Sequence, residues 1–152
     1  MILDSGSRRE FPTGAVRDIQ EGKGRPSLVP LFVAAKILDV RDSGDPVLYY
    51  IASFADTRNI FYLFLALREF AGKAFAHSCE TMLLEVSIHF EEGAKKYGDN
   101  NWQRGIPVEC YLDSAIRHYL KYRRGDDDER HDRAFVWNIM CCAWEVENHD
   151  KN

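Results

Sequence analysis

The chain has 152 residues, 45% of them hydrophobic and 29% charged, with a formal net charge of −4. That length fits one compact domain that folds without disulfide or metal staples, and an aromatic content of 12% excludes a disordered tail. The acidic balance argues against a general nucleic-acid binder, which carries a basic surplus, and no apolar run approaches the ~20 residues of a membrane span.

Residues 1–30 read as an N-terminal arm. Gly6, Gly14, Gly22 and Gly24, with Pro12, Pro26 and Pro30, interrupt any long helix, and Arg8, Arg9, Arg17, Lys23 and Arg25 make the segment basic. Such a segment reads either as a floppy Gly-rich arm or, through the apolar anchors Phe11, Val16, Ile19, Leu28 and Val29, as an ordered arm lying against the domain, with a short hairpin as one form. The remainder, 31–152, reads as a helical domain. LFVAAKIL (31–38) is a short apolar helix closed by the turn DSGDP (42–46). Pro46 opens the next helix, whose Val47, Leu48, Tyr50, Ile51 and Phe54 recur at three-to-four spacing. A third helix covers 60–76, and a fourth runs from about Glu80 to Tyr97 and stops at Gly98. The loop GDNNWQRGIP follows, with turns at Gly105 and Pro107. A fifth helix covers roughly Val108 to Arg123, GDDDERH breaks it, and a sixth runs from about His131 to Glu147.

No internal repeat is visible and nothing alternates long enough to demand a sheet. The expected fold is therefore all-α, a bundle of about five to six helices with a Gly/Pro-rich arm. The Phe-rich stretch 31–78 carries more apolar surface than a small monomer buries, which points to core or subunit contact. Cys79, Cys110, Cys141 and Cys142 match neither a C-x-x-C pair nor a zinc spacing. The N-terminus MILDSGSRRE lacks the charged-then-apolar order of a signal peptide. Both features lead to an expected place in a reducing cytoplasm.

Residues with chemical potential concentrate between 85 and 138. In the fourth helix Glu85, His89, Glu92 and Lys96 share one face, beside a stripe of Glu91 and Lys95; a solvated charged face explains such a pattern equally well. In the fifth, Ser114, Arg117, His118 and Lys121 recur at three- and four-residue steps. Arg117 and Lys121 are like charges at i,i+4, which oppose the helix unless an anion lies between them. In the sixth, Asn138 interrupts the apolar run FVWNIMCCAW, and a buried Asn must find partners or cost about 1–3 kcal/mol. Carboxylates and histidines facing inward from successive helices form metal sites in bundles. A carboxylate-rich set suits Mg²⁺ or Mn²⁺, and such an ion beside Arg and Lys is an environment for a nucleotide polyphosphate.

The segments TGAVRDIQEGKGR, HFEEGAKKYGDNNWQRGIP, LDSAIRHYLKY and HDRAFVWN together resemble the phage and prophage dATP/dGTP diphosphohydrolase family, itself similar to the MazG-like all-α nucleoside triphosphate pyrophosphatases. The likeness runs from about Arg8 to Trp144, and EGAKKYG-x-x-NW-x-x-GIP is its most specific part. The resemblance implies a helical, Mg²⁺-dependent hydrolase that cleaves purine deoxynucleoside triphosphates to monophosphate and pyrophosphate. It also implies a homo-oligomer, dimer or tetramer, in the cytoplasm of a host where phage-encoded; the charge balance and the lack of a long apolar run add the expectation of neither nucleic acid nor membrane as partner. By residue match Glu91 stands where the family keeps a helix carboxylate, and Lys95, Lys96 and Tyr97 complete GAKKYG. Asn101 and Trp102 match the NW pair, Arg117 and His118 the RH of the fifth helix, and His131 and Asn138 the sixth. Arg17, Lys23 and Arg25 match a basic stretch able to wrap triphosphate. The MazG-like E-x-x-E and E-x-x-D pairs are absent: Lys95 follows Glu92 at three residues and Ile116 follows Asp113. The ligands of those enzymes therefore do not transfer residue by residue.

The expected site follows. Glu91 and Glu92, with Asp113 or an aspartate of 126–128 such as Asp128, hold Mg²⁺ (or Mn²⁺). Arg17, Lys23, Arg25, Lys95, Lys96, Arg117 and Lys121 take the phosphates. His118, His131 or Glu91 acts on the attacking water. Tyr97 or Trp102 stacks on the purine and Asn138 reads its edge, with Asn101 beside them. The rival expectation is a protein that captures a nucleotide, such as a host-defence signal, without cleaving it.

Overall fold

The structure, a computed structural model, describes residues 5–149. The ends of the expected arm (1–4) and of the expected helical domain (150–152) lie outside these. An antiparallel pair, β1 (Arg8–Glu10) and β2 (Val16–Asp18), precedes six helices. These are α1 (Leu31–Leu38), α2 (Pro46–Thr57), α3 (Phe61–Ala74), α4 (Cys79–Tyr97), α5 (Val108–Arg124) and α6 (His131–Asn148). The fold is all-α apart from the hairpin. Single 3-10 turns occupy Pro26–Leu28 and Asn101–Arg104.

Local chemistry sets the helix ends. Asp45 caps α2, its carboxylate accepting from the Leu48 amide at 3.0 Å, and Pro46 starts the first turn. Gly44 is required before it: φ is +93°, and a Cβ there would stand 2.5 Å from the Ala35 carbonyl carbon. Ser78 caps α4 through the Thr81 amide. Gly125, at φ +89°, closes α5 with its amide shared between the carbonyls of Lys121 and Tyr122. α3 ends two residues earlier than its apolar pattern suggests, because Ala76 and His77 both turn left-handed.

α5 and α6 form the most extensive pairing, an antiparallel hairpin against which α4 and α3 pack. At its centre the Phe70, Tyr119 and Phe135 rings meet, with Phe70 and Phe135 4.6 Å apart. Below them Asp45 also accepts from Tyr119 Oη at 2.7 Å and from Arg123 at 3.0 Å, tying α2 to α5. Cys141 and Cys142 are buried, as small core residues.

The arm is pinned to the domain by polar contacts far apart in sequence. Asn101 pairs with both the amide and carbonyl of Val16, at 2.9 and 2.8 Å. Asp113, 1% exposed, accepts from the Ser27 amide, Gln20 Nε2 and Arg25 Nε at 2.8–3.0 Å. Thr13 donates to the Gly105 carbonyl. Here again only glycine fits, since at φ +113° a Cβ would lie 3.0 Å from the Thr13 methyl.

Candidate functional site

The docked arm roofs a cavity of about 630 Å³, whose floor is made by α4, α5 and α6. That size lies within the ~300–1,000 Å³ of small-molecule sites. The arm contributes Arg9, Arg17, Asp18 and Lys23; α4 contributes His89, Gly93 and Tyr97; α6 contributes Trp137 and Asn138. From α5 come Cys110, Ser114, Arg117, His118 and Lys121, a single stripe at helical spacing. Glu129 closes the end near Lys121.

The cavity is crowded with cations whose hydrogen bonding is incomplete. Arg17 lies over the Tyr111 and Trp137 rings and donates one Nη to Asn138 Oδ1 at 3.2 Å. Its other Nη is buried without a partner, as are Arg117 Nε, Arg9 Nε and Trp137 Nε1. Burial lowers the pKa of Arg117, and the charges of Arg17 and Arg9 push the same way against the pull of Asp113. Buried donors without acceptors are costly, and like charges held together are costlier still. Asp18, the arm's carboxylate on this wall, is already held by Lys23 and Ser5. An anion bridging Arg9, Arg17, Arg117 and Lys121 would relieve both penalties.

At the Lys121 end sits a histidine pair. His118 Nδ1 and His131 Nδ1 are 2.9 Å apart, and His131 Nε2 contacts Asp128 Oδ1 at 2.7 Å. A carboxylate only accepts, so His131 donates from Nε2. Burial pushes the His118 pKa well below its ordinary value, reinforced by the neighbouring His131, Arg117, His89 and Lys121. His89 is likewise lowered to about 4, chiefly by burial. His118 and His89 are therefore neutral at pH 7. One ligand atom each of His118, Glu129 and His131 fall within 4.8 Å of one another, and so do those of Asp126, Asp128 and His131.

Of the residues named from sequence, Arg17, Lys23, Tyr97, Asn101, Arg117, His118, Lys121 and Asn138 line this cavity, with His131 and Asp128 behind His118. Asn101 acts as a tether, both ends of its amide being used on Val16. Trp102 packs at 5.0 Å from Trp144 and lines a smaller cavity next door. The expected carboxylate centre does not assemble. Glu91 and Lys95 are exposed and off the cavity wall, because they stand on the side of α4 away from His89, Gly93 and Tyr97. Glu92 and Lys96 flank that wall without lining it. Asp113 faces the arm, and Arg25 is spent on it rather than on the cavity. Several contributors went unmarked in sequence, among them Arg9, Glu129 and Trp137. Arg9 is one basic residue among several in the arm; Glu129 hides in an acidic turn; Trp137 reads as core.

Fold and site define an all-helical protein with a cation-lined cavity. The family model described as dATP/dGTP diphosphohydrolase, N-terminal, matches residues 73–152, just over half of the chain. The chain belongs to this family. Comparison with curated proteins gave no match, and comparison with solved structures gave none. Among the described residues no helix is long and apolar enough to cross a membrane.

Proposed function

We propose that the chain hydrolyses purine deoxynucleoside triphosphates, dATP or dGTP, to the monophosphate and pyrophosphate, with the polyphosphate seated among Arg9, Arg17, Arg117 and Lys121. The carrying observation is the set of buried guanidinium nitrogens without partners around one cavity. Planar guanidiniums match phosphate oxygens bidentately, and Arg117 and Lys121 would meet the charge that builds on the leaving pyrophosphate. Lys23, on the arm, adds a further positive group at the cavity mouth. Phage nucleotide-pool control, as the family resemblance implies, is the corresponding biological role.

The donor chemistry fits a divalent cation at His118, Glu129 and His131. Asp128 orients His131 from behind as carboxylates do for metal-bound imidazoles, and burial keeps His118 neutral, with a lone pair to give. Two imidazoles with a carboxylate suit Mn²⁺ better than Mg²⁺, which prefers oxygen ligands. When bound, the ion would supply positive charge for phosphate oxygens and an acidified water. Without the cation, the same unprotonated His118 is the group able to accept a proton at that end of the cavity.

A second reading, capture without cleavage, is favoured by one observation: Glu91, Glu92 and Asp113 do not converge on the cavity. Incubation with dGTP and dATP in Mg²⁺ and in Mn²⁺ separates the two. Release of deoxynucleoside monophosphate and pyrophosphate supports the hydrolase; retention of intact nucleotide supports capture. The exposed apolar side chains of α1 and α3, among them Phe32, Ile37 and Phe61, are the surface on which a homo-oligomer would form. Its stoichiometry is read by light scattering.

A further inference from the structure

A second cavity of about 230 Å³ opens beside the first, and the two share Gly93, Tyr97, Asn101 and Trp137 in their walls. That volume is below the ~300–1,000 Å³ of sites that take a whole ligand, so it suits one fragment of a molecule seated mainly next door. Its walls are aromatic: Phe90 stands 5.7 Å from Trp102 and 5.9 Å from Trp137, centroid to centroid. Trp137, whose indole N–H is buried without a partner, lines both cavities. A left-handed turn with φ +88° at Gly98 and +58° at Asn100 forms the rim and brings exposed Asp99 onto the lining.

The larger cavity has a direction. Along α5 it runs from Cys110 to Lys121, about 16 Å at 1.5 Å per residue. The aromatic slot joins it at the Tyr97 and Asn101 end, whereas His118, Lys121 and Glu129 mark the other. A nucleotide with its phosphates on Arg117 and Lys121 therefore extends its base toward the slot.

We propose that this slot is the base subsite and that Asp99 selects guanine over adenine there, an inference that rests on the nucleotide reading above. Guanine presents N1–H and its 2-amino group as adjacent donors, which a carboxylate accepts with both oxygens. Adenine presents an unshared pair at N1 and no 2-amino group, so the same carboxylate repels it. The aromatic walls add stacking that any purine shares. Because Asp99 is exposed, the preference is about tenfold, far short of what a buried reader achieves.

The test is calorimetric titration of the whole chain, without divalent cation so that no nucleotide is cleaved, using dGTP, dATP, dITP and inorganic tripolyphosphate. Wild type should bind dGTP about tenfold more tightly than dATP. dITP, which keeps N1–H but lacks the 2-amino group, should fall between. In Asp99→Asn, dGTP and dATP should come within about twofold, while tripolyphosphate affinity stays unchanged. Equal affinities in wild type, a preference for dATP, or a dGTP preference that survives in Asp99→Asn would overturn the assignment and leave the nucleotide reading standing. Failure of tripolyphosphate and every nucleotide to bind would remove both.

Discussion

Asp45 and Arg117 are charged groups withdrawn from solvent within one bundle, yet their surroundings are opposite. Around Asp45 every demand is met: the Leu48 amide, Tyr119 Oη and Arg123 all donate to it, and Lys73 lies 3.9 Å away. Around Arg117 demands are left open: its Nε has no acceptor, and its cationic neighbours Arg17 and Arg9 oppose its charge. A satisfied buried charge holds a fold together. An unsatisfied one, repeated on three arginines facing one cavity, leaves donors open to an acceptor from outside.

Substitutions can break this contrast. The largest effect is expected at Asp45→Ala, which strands Arg123, Tyr119 Oη and the α2 amide. It should cost about 3–5 kcal/mol in denaturant unfolding, with any loss of activity following the unfolded fraction. Next is the pH dependence of stability set by His89. Its folded pKa of about 4 lies below the ~6.5 of an unfolded histidine, so the unfolded chain takes up the proton first. Stability is full above pH 6.5 and falls on acidification toward pH 4, by on the order of 3 kcal/mol. His89→Asn should flatten that part of the curve; an unchanged slope would show that His89 is not held neutral. Arg117→Ala should lower the rate of nucleotide cleavage about 100-fold while leaving the melting temperature unchanged or raised, since it removes a repelled cation. A large fall in melting temperature would make Arg117 another Asp45.

Smaller effects sharpen the division of labour. Asp113→Ala should cost about 2 kcal/mol and loosen the arm, raising KM more than it lowers kcat, because Arg9, Arg17 and Lys23 ride on that arm. Limited proteolysis within residues 5–30 reads the loosening directly. Glu91→Gln, on the outer side of α4, should change stability by less than about 0.5 kcal/mol and activity by less than twofold. A strong loss there would restore the carboxylate to the site.

The helices were legible because their punctuation is local. Pro46 after Asp45, Gly98 after Tyr97, and Gly125 after the basic turn of α5 each mark an end that the backbone obeys. The cationic half of the site was legible on α5, where spacing alone lines up Ser114, Arg117, His118 and Lys121. The carboxylates expected to hold a metal do not meet at the cavity, for a geometric reason. Glu91 follows His89 by two residues, about 200° around the helix, so His89 facing the cavity sends Glu91 outward. Asp113 points to the arm by the same logic, one residue ahead of cavity-lining Ser114. The arm's path could not be read at all. Its contacts with Asn101, Asp113 and Asn138 span 85 to 121 residues, and side-chain hydrogen bonds of that range leave no periodic trace.

In the proposed function the open guanidinium positions of Arg17 and Arg117 are filled by the phosphates of a purine nucleotide. Titrating the whole chain and the Arg17→Ala variant with dGTP in a calorimeter tests it most directly. Expected are one nucleotide per chain for wild type and an affinity at least about 100-fold weaker for the variant, measured below the variant's melting temperature, which falls modestly because Asn138 loses the Arg17 hydrogen bond. Equal binding by both proteins, or no binding by wild type, would contradict it.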